Sequence, residues 1–485
     1  MENKKIAIVG AGVGGLSTAA RLAKQGYDVE VFEKLPECGG RNHLLESRGF
    51  KFDMGPSFVL MPDFFSEAFS YCGQNIDDYL TLKALDCSYK IFYHDTETLT
   101  VYRDSRKTRE ELEKIEKGSS KGFAGFIKEI GRIYDEVRPL LYDCFTPRAL
   151  THPRYWGLLG KIHALETYWG LAKKFFKTDK LRFAFTFEAM FIGVSPFAAP
   201  AFYSIISYAD HVQKIFHPMG GMYQIPLAFE RLAKNYGARF YYNTEVNAIE
   251  RDNGSIRLRF KGGERSFNQT VVNADYAYTQ STLLSRHIPE YEYSCSVYLL
   301  YLGLKRKVTG LAHHNLFFSS DVIKNLNQIF RDKVMPDDPS FYMHVPTVTD
   351  PSLAPEGKDI FYILIPVPNL KNQREDMSGH EARLRKIVFE KINRTAGITT
   401  EDLIEVEHRF LPQDFISRYN IRYGATFGLS HTLKQSAFFR PPNFDSQIKG
   451  LYFVGASTQP GGGLPVVIAG SRIVADLMSG ALKRG

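Results

Sequence analysis

Residues 5–33 read KIAIVGAGVGGLSTAARLAKQGYDVEVFE, and this stretch decides the fold. It opens with an apolar run typical of a buried strand, passes through the pattern G-x-G-x-x-G, and enters an alanine- and leucine-rich run that predicts a helix. A second run, residues 28–32, predicts the next strand and ends directly before Glu33. Strand, glycine turn, helix, strand and acid in this order predict a parallel α/β unit that binds a dinucleotide.

The residue types in this turn suit a pyrophosphate group. Gly10 permits the tight turn, Gly12 lets the backbone approach the phosphates, and Gly15 allows the helix to pack closely on the strand. The first turn of the helix then directs unpaired N–H groups and its positive dipole end at the phosphates. Glu33 is placed to accept hydrogen bonds from ribose hydroxyl groups. The contacts predicted in this segment are Gly10, Ala11, Gly12, Val13, Gly14, Gly15, Glu33 and Lys34.

Two later segments favour FAD over NAD as the dinucleotide. Gly39, Gly40 and Arg41 follow soon after the acid and supply a second close backbone approach and a guanidinium group for the phosphates. Far downstream, an apolar run is followed by glycines, a proline and a predicted helix over residues 466–478. A proline at a helix start after glycines predicts an anion-accepting terminus against a flavin ring. These segments predict cofactor contacts at Gly40, Arg41, Gly455, Gly463, Leu464, Pro465 and Val466.

Together, these segments resemble the flavin amine oxidase and phytoene desaturase superfamily. The resemblance continues in residues 52–57 (FDMGPS), 217–223 (HPMGGMY), 243–246 (NTEV) and 273–275 (NAD). It implies that the segment containing Gly55, Pro56 and Ser57 passes near the flavin ring, and that a backbone group of Val246 contacts the adenine.

Along nearly its whole length, the chain is similar to bacterial 4,4'-diapophytoene (dehydrosqualene) desaturases. The similarity includes residues 61–63 (MPD), 293–296 (YSCS), 353–357 (LAPEG) and 455–458 (GAST). It implies FAD-dependent desaturation of a long polyene hydrocarbon by hydride transfer to the flavin, with 4,4'-diapophytoene favoured as the substrate. Oxidation of a carotenoid's terminal methyl groups is the nearest alternative. A non-catalytic prenyl-chain carrier is disfavoured because such carriers have lost the flavin-binding residues that are present here.

One departure from these relatives concerns the chemistry. They commonly read THPGAG near the C-terminus, whereas residues 458–463 here read TQPGGG. Gln459 cannot titrate near neutral pH, so an acid–base role of the relatives' histidine does not carry over. The spacing of the other acidic and basic residues indicates no catalytic pair, and no catalytic residue is assigned. His313, His314 and His344 have no metal-ligand partners at standard spacing, so no metal site is expected.

The wide separation of the nucleotide segments predicts a discontinuous domain in an α/β fold. We expect a Rossmann-type FAD-binding domain from residues 1–80, 217–290 and 440–485, a mixed-sheet substrate domain from 81–105 and 291–439, and a helical lid or membrane subdomain from 106–216. Within the last, the uncharged stretch 189–209 is interrupted by Pro196 and Pro200. It is therefore interpreted as a cavity-lining segment rather than a transmembrane helix.

A basic segment, residues 148–182, is the expected contact with a membrane surface. It carries eight lysines and arginines against two acids, in a chain whose net charge is +8, and it contains both tryptophans. On one helix, an apolar stripe with flanking Lys161 and Lys173 would suit the interface of a bilayer. The predicted stripe consists of Leu158, Ile162, Leu165, Trp169, Ala172 and Phe176. An ordinary helix packed on the core, with a solvated basic face, is the alternative.

Composition and motifs predict the state of the cysteines, the partners and the location of the protein. The five cysteines are scattered without a Cys-x-x-Cys pair, which favours reduced thiols over a disulfide framework. The basic charge has no recognisable nucleic-acid module beside it, so no nucleic-acid partner is expected. The N-terminal sequence does not resemble a signal peptide, and the expected location is cytoplasmic, peripheral on the inner face of the cell membrane. Reoxidation of the flavin needs oxygen, a membrane quinone or another acceptor, and the sequence does not identify which.

Overall fold

The computed structural model describes residues 4–252, 254–371 and 377–482. These residues contain nineteen strands and fifteen α-helices, besides shorter 3₁₀ and π turns. The strands are β1 (Lys5–Val9), β2 (Asp28–Phe32), β3 (Leu44–Ser47), β4 (Phe50–Asp53), β5 (Leu82–Ala84), β6 (Cys87–Phe92), β7 (Thr98–Tyr102), β8 (Phe216–Pro218), β9 (Arg239–Tyr241), β10 (Val246–Asp252), β11 (Ser255–Phe260), β12 (Gly263–Phe267), β13 (Gln269–Val272), β14 (Ser296–Leu304), β15 (His314–Phe317), β16 (Phe341–His344), β17 (Asp359–Val367), β18 (Ile404–Phe410) and β19 (Leu451–Phe453). The helices are α1 (Val13–Lys24), α2 (Pro62–Tyr71), α3 (Ser105–Ile115), α4 (Ser119–Val137), α5 (Arg154–Lys161), α6 (Tyr168–Lys173), α7 (Asp179–Ala184), α8 (Ile205–Tyr208), α9 (Gln224–Asn235), α10 (Tyr276–Tyr278), α11 (Val322–Asn327), α12 (Glu381–Ala396), α13 (Thr400–Leu403), α14 (Pro412–Tyr419) and α15 (Leu464–Ser479).

A five-stranded parallel sheet in the order β19-β13-β1-β2-β9 forms the nucleotide-binding half of the molecule. The three strands β1, β13 and β19 are short and mostly buried, as expected for parallel strands covered on both faces, whereas β9 is a partly exposed edge strand. Helix α1 connects β1 to β2 and packs against α9 and α15. All five strands lie in the three separate stretches 1–80, 217–290 and 440–485, which is why distant parts of the sequence meet at one sheet.

The start of α1 lies against β1 with no room for a side chain. Gly10 has φ +100°, a conformation that glycine adopts without strain. A Cβ atom added to Gly15 would lie 2.1 Å from the Gly10 carbonyl oxygen, a distance that real Cβ atoms do not show. The roles predicted for the first and third glycines of the turn therefore correspond to a left-handed backbone and a close helix–strand contact.

A seven-stranded mixed sheet in the order β18-β14-β17-β16-β15-β6-β7 forms the second half. Every residue of β14 is buried because both faces of this strand are covered. Successive side chains of a strand point to opposite faces, so Leu300 and Leu302 join one apolar cluster while Leu299 and Tyr301 join another. The seven strands lie within residues 81–105 and 291–439. The structure is thus the expected α/β fold with a Rossmann-type sheet and a mixed sheet.

The prediction of a single amphipathic helix within residues 148–182 is wrong. Helix α5 ends at Lys161, and His163 adopts φ +50°, which breaks the helical path. The Thr167 hydroxyl oxygen then accepts a hydrogen bond from the Gly170 N–H (3.0 Å) and caps a separate helix, α6. The six side chains spaced for one helix therefore lie in two short helices, α5 and α6, and in the segments that follow them.

Most of the predicted apolar stripe faces the core instead of a membrane. Ile162, Trp169, Ala172 and Phe176 are buried in the large cluster formed with α4, whereas Leu165 is 85% exposed. Trp156 is also exposed, at 68%. Several basic side chains of the segment are engaged in ion pairs, namely Lys161 with Glu136, Lys174 with Glu166, Lys180 with Asp95 and Glu97, and Arg182 with Asp179.

Two other sequence expectations can be compared with the described residues. The part of the chain that the structure describes contains no helix that is both long and apolar enough to cross a membrane. No two of the five cysteines form a disulfide bond, in keeping with their scattered spacing.

The contact between α1 and β1 gives a first prediction. Replacing Gly15→Ala should lower the free energy of unfolding by about 3 kcal/mol or more, because the new methyl group meets a backbone oxygen that cannot move away. Gly157→Ala is the matched control, since nothing lies within 4 Å of its added Cβ. Urea denaturation of the three proteins measures the difference. Equal stability of Gly15→Ala and wild type would contradict the packing described here.

Candidate functional site

A continuous cavity lies between the parallel sheet, the seven-stranded sheet and the helical segment. Glycine turns and polar groups form one part of its wall, and aromatic and aliphatic side chains form the other. The predicted site residues that line it are Gly10, Gly12, Val13, Gly14, Glu33, Lys34, Gly40, Arg41, Gly55, Pro56, Ser57, Val246, Gly455, Gly463, Leu464, Pro465 and Val466. Ala11 and Gly15 lie behind this wall and contribute to the shape of the turn.

Helix α1 opens into the cavity with its positive end. Its N-cap residue is Gly12, and no side chain caps it. The N–H groups of a helix's first turn have no partners within the helix, so an uncapped start facing a cavity is suited to a phosphate. Gly39 reinforces the turn, because its N–H donates to the Ala11 carbonyl oxygen (2.8 Å). Gly40 follows with φ +56°, and both loops therefore meet with backbone against backbone.

Glu33 closes the same turn from the end of β2. Its Oε2 accepts a hydrogen bond from the Ala11 N–H (2.7 Å), and its Oε1 accepts one from the Leu35 N–H (2.9 Å). The residue is 7% exposed, and burial raises the pKa of its carboxyl group against the opposing effect of these backbone donors. Each carboxylate oxygen can accept a further hydrogen bond, so the group can hold the turn and bind a hydroxyl at once.

A second helix start opens into another part of the cavity wall. Helix α15 begins after Gly463, which has φ +103°, with Pro465 in its first turn and no side-chain cap. The preceding loop is held by His431, a buried residue missed by the sequence analysis, whose Nε2 accepts a hydrogen bond from the Gly462 N–H (3.1 Å). Burial keeps the pKa of His431 well below its ordinary value, so the ring is neutral and able to accept.

Gln459 has a defined structural role. Its Oε1 accepts from the Phe145 N–H (2.7 Å), while its Nε2 donates to the Phe145, Ala437 and Arg440 carbonyl oxygens at 2.9, 3.1 and 3.0 Å. The residue is 1% exposed. An amide supplies both the acceptor and the donors on adjacent atoms, which one imidazole ring cannot reproduce. The side chain thus joins the helical segment to the C-terminal strand and helix.

The apolar part of the cavity comes from the helical segment and the seven-stranded sheet. The uncharged stretch 189–209 contributes to it, so the expectation of a cavity-lining segment is confirmed. The apolar lining consists of Leu141, Phe183, Phe187, Met190, Phe191, Ile192, Ile205, Ile206, Leu316, Phe318, Leu326, Ile329, Phe341 and Leu364. Such a wall excludes water and offers no charged partner to a ligand.

Several polar lining residues were missed because they come from the part of the chain assigned to the substrate domain. Arg418, Tyr419 and Asn420 lie at the end of α14, and Thr426 follows nearby. The Thr426 carbonyl oxygen accepts a hydrogen bond from Arg41 Nη1 (2.7 Å), which fixes the predicted guanidinium group. No local pattern around residues 418–426 marks this contact, since it depends on how the two sheets meet.

Four histidines that spacing did not connect are close together behind the cavity wall. His217, on β8, joins His313, His314 and His344 of the adjacent strands β15 and β16, and all four are buried. The His314 Nδ1 lies 2.7 Å from the Tyr342 hydroxyl, which donates to the Ser57 hydroxyl (2.8 Å). Burial and neighbouring histidines hold the pKa values of His313, His314 and His344 well below the ordinary value.

Comparison with known proteins identifies the class to which this fold and cavity belong. The model of the family described as "Flavin containing amine oxidoreductase" matches residues 13–478. A solved oxidoreductase from Methanosarcina mazei superposes with a TM-score of 0.66 at 16% identity, covering 98% of this chain and all of that one. Putrescine oxidase superposes with a TM-score of 0.64 at 15% identity, covering 98% and 99%. The chain belongs to the flavin-containing amine oxidoreductase family and is an FAD-dependent oxidoreductase.

Relatives that match along the full length of the chain indicate a narrower class of enzyme. The chain is 39% identical to a zeta-carotene-forming phytoene desaturase of Myxococcus xanthus, over 100% of this chain and 96% of that protein. It is 34% identical to a 4,4'-diapophytoene desaturase (4,4'-diaponeurosporene-forming) of Staphylococcus haemolyticus, over 99% of both. The resemblance to bacterial carotenoid desaturases that the motifs imply is therefore confirmed.

The cavity fits FAD on its own geometry. The uncapped starts of α1 and α15 open into the same cavity, and Glu33 and Arg41 lie on its wall. An elongated cofactor with a pyrophosphate in the middle and a ring that becomes anionic on reduction requires two electropositive regions of this kind.

The bonding of Gln459 gives a second prediction. Gln459→Met should lower the free energy of unfolding by about 2–5 kcal/mol, because it leaves a buried N–H and buried carbonyl groups unpaired. Gln459→His should also destabilise the protein, since one ring cannot pair with both groups of Phe145. Gln447→Met, at an exposed position, is the control and should change stability by less than about 0.5 kcal/mol. Urea denaturation measures the stabilities. A Gln459→Met protein as stable as wild type would refute the structural role of this amide.

Proposed function

We propose that the protein desaturates a linear polyene hydrocarbon of carotenoid biosynthesis, with FAD as the hydride acceptor. The observation that carries this proposal is the continuity between a cavity wall built for a dinucleotide and an apolar wall without charged groups. A hydrocarbon substrate offers nothing to bind except its surface, so an apolar chamber beside the cofactor is the recognition element that it requires. The full-length relatives named for phytoene and 4,4'-diapophytoene desaturation support the same substrate class.

The predicted contacts can be assigned to parts of the cofactor. The pyrophosphate would lie at the start of α1, along Gly10, Gly12 and Gly14, with the ribose hydroxyls at Glu33 and the adenine near Val246. Arg41 would neutralise a phosphate. The ring would lie between the loop containing Gly55, Pro56 and Ser57 and the start of α15. The remaining contacts of these two regions would be Ala11, Val13, Gly15, Lys34, Gly40, Gly455, Gly463, Leu464, Pro465 and Val466.

The contribution of the chain to the reaction is mainly orientation and exclusion of water. FAD, when bound, accepts a hydride from an allylic carbon of the substrate. The aromatic and aliphatic walls from the helical segment and the seven-stranded sheet would hold the polyene against the ring in one direction. Loss of a neighbouring proton completes the double bond. Because the cation left after hydride removal is delocalised, the demand on a protein base is modest, and no catalytic residue is assigned.

The proposal also concerns the length of the substrate, the alternative reaction and the electron acceptor. The sequence resemblance favours 4,4'-diapophytoene, while the relative from Myxococcus xanthus is named for phytoene. Oxidation of a terminal methyl group is the nearest alternative, because such enzymes share most of the motifs. Oxygen or a membrane quinone is the proposed electron acceptor.

Product analysis tests the reaction. A bacterial host that makes either 4,4'-diapophytoene or phytoene should accumulate products with additional conjugated double bonds when this chain is expressed, detected by chromatography with mass and absorbance spectra. Loss of hydrogen pairs without added oxygen is the expected result. Products that carry oxygen on an unchanged chain would favour the methyl oxidase, and unaltered precursors with a flavin-loaded protein would refute desaturation of these substrates.

The proposed ribose contact gives a prediction for cofactor affinity. Glu33→Gln should weaken FAD binding by about 10- to 100-fold, because hydrogen bonds to a charged acceptor are lost while the size of the side chain is kept. Glu46→Gln, at an exposed position, is the control. Flavin fluorescence titration of the deflavinated proteins measures the affinity. Wild-type affinity in Glu33→Gln would exclude this carboxylate from the cofactor site.

We propose that residues 148–182 contact a membrane surface through exposed apolar side chains. Trp156 and Leu165 are 68% and 85% exposed. Phe439, 51% exposed, lies in a 3₁₀ turn that packs against residues 147–151, immediately before α5. The ion pairs of the segment leave less basic charge than its composition suggests, so burial of tryptophan and leucine in the interface is the main proposed attraction. A peripheral position of this kind would bring the cavity near a lipid-dissolved substrate.

Vesicle flotation tests this contact. The double variant Trp156→Ser/Leu165→Ser should bind anionic phospholipid vesicles about tenfold or more weakly than wild type, since two exposed apolar side chains no longer enter the interface. Ile323→Ser/Val348→Ser removes two exposed apolar side chains elsewhere and is the control. Equal flotation of wild type and the first variant, or no flotation of wild type, would count against membrane contact through this segment.

A further inference from the structure

The buried histidines behind the cavity wall form a group with the composition of a metal site. One ring nitrogen from each of His217, His313 and His344 lies within 4.8 Å of the other two. The His313 Nε2 and the His344 Nε2 are 2.8 Å apart, and the rings of His217 and His313 are 4.8 Å apart at their centroids. The three side chains are at most 3% exposed. None of the three appears on the described wall of the cavity, so this group is distinct from the flavin and substrate site.

The outer hydrogen bonds of His217 and His313 leave the second nitrogen of each ring for a ligand role. The His313 Nε2 shares a hydrogen bond with the His344 Nε2, which a cation would replace. The Nε2 of His217 lies 3.4 Å from Asp350 Oδ2, and the Nδ1 of His313 lies 2.8 Å from the Thr349 hydroxyl. A histidine whose one nitrogen binds a carboxylate or oxygen presents the lone pair of the other nitrogen, which is the usual arrangement at metal centres. Within the described residues, the His217 Nδ1 is buried and has no hydrogen-bond partner.

Two buried carboxylates provide the charge that a cation would need. Asp350 is 1% exposed and, besides its contact with His217, accepts hydrogen bonds from the Gly220 N–H (2.6 Å) and from Ser352. Asp53 is 7% exposed and accepts from the Met222 N–H (2.9 Å). Across the part of the chain described, neither carboxylate forms an ion pair with lysine or arginine. Two buried carboxyl groups beside three imidazole rings therefore match a divalent cation.

The ligand type selects the class of metal. Imidazole nitrogen suits zinc and the neighbouring late first-row metals, whereas calcium and magnesium require mostly oxygen ligands. At the usual zinc–nitrogen distance, the nitrogens of a tetrahedral site are about 3.3 Å apart. The His313–His344 pair is slightly closer than this, whereas the three ligand nitrogens are within 4.8 Å of one another, so an ion would separate the first pair and draw the three rings to a common distance. A water molecule would complete the coordination.

We propose that His217, His313 and His344 bind one divalent cation of the zinc class, which fastens the two-stranded sheet β5-β8 to the seven-stranded sheet. His217 is on β8, which pairs with β5. His344 is the last residue of β16, and His313 directly precedes the neighbouring strand β15. A metal with ligands from both sheets would fix their relative position without touching substrate. Through the stacked His344 and His314 rings, it would also support Tyr342, whose hydroxyl binds Ser57 on the cavity wall.

Metal analysis of the flavin-loaded protein tests this proposal. The protein is purified without a histidine tag, equilibrated with zinc and passed through gel filtration. It should then carry one equivalent of zinc per chain, measured by inductively coupled plasma mass spectrometry. His313→Gln and His344→Gln should lose most of this metal, and the exposed His287→Gln should retain it. Asp350→Asn should bind zinc about 10- to 100-fold more weakly in competition with a coloured chelator.

A second measurement covers the case in which a histidine variant does not fold. Cobalt added to chelator-treated wild type should give the visible absorption bands of a nitrogen-coordinated ion, seen as a difference spectrum over the flavin. X-ray absorption of the zinc form should show imidazole ligands. Folded wild type that takes up neither zinc nor cobalt, or folded His313→Gln and His344→Gln with undiminished metal, would overturn the site. Because metal and flavin contents are measured separately from products, failure here leaves the proposed desaturation untouched.

Discussion

The contact between the first turn of α1 and strand β1 is the constraint on which the nucleotide-binding half depends. The Gly15 backbone approaches the Gly10 carbonyl so closely that no Cβ atom fits between them. This approach brings the uncapped helix start to the carboxyl ends of β1 and β2, where Glu33 can bond to the Ala11 N–H. A ligand site at the carboxyl edge of a parallel sheet then follows from the topology, because loops that leave adjacent strands meet there.

A cavity with two kinds of wall has a physical consequence for the reaction. Backbone donors and helix starts concentrate positive potential where the phosphates and the flavin are expected, while the adjoining wall contains aromatic and aliphatic groups. Electrostatic interactions are stronger in such a water-poor region, whereas contacts with an apolar wall have no preferred position along a hydrocarbon. A site of this design is compatible with repeated reaction along one chain, because substrate contacts are not specific to one position.

The sequence predicted those parts of the structure whose geometry depends on residues close together along the chain. The glycine turn, Glu33 and the start of α15 could be located because each depends on backbone geometry within a few positions. The same approach failed for residues 148–182, where helical spacing continues across a break at His163. It also missed Arg418 and Thr426, which reach the cavity only because the seven-stranded sheet packs beside the parallel one. Contacts between distant segments leave no spacing to detect.

A buried arginine supplies positive charge at the end of the cavity that contains Gln459. Arg440 is 1% exposed and donates to the carbonyl oxygens of Thr458 (3.1 Å), Gln435 (3.0 Å) and Ala456. Burial lowers the pKa of its guanidinium group to about 10, so the charge persists at neutral pH. Ala456 and Thr458 themselves line the cavity. A fixed cation behind this loop, together with the start of α15, would stabilise a reduced, anionic ring at neutral pH, whereas a histidine would do so only when protonated.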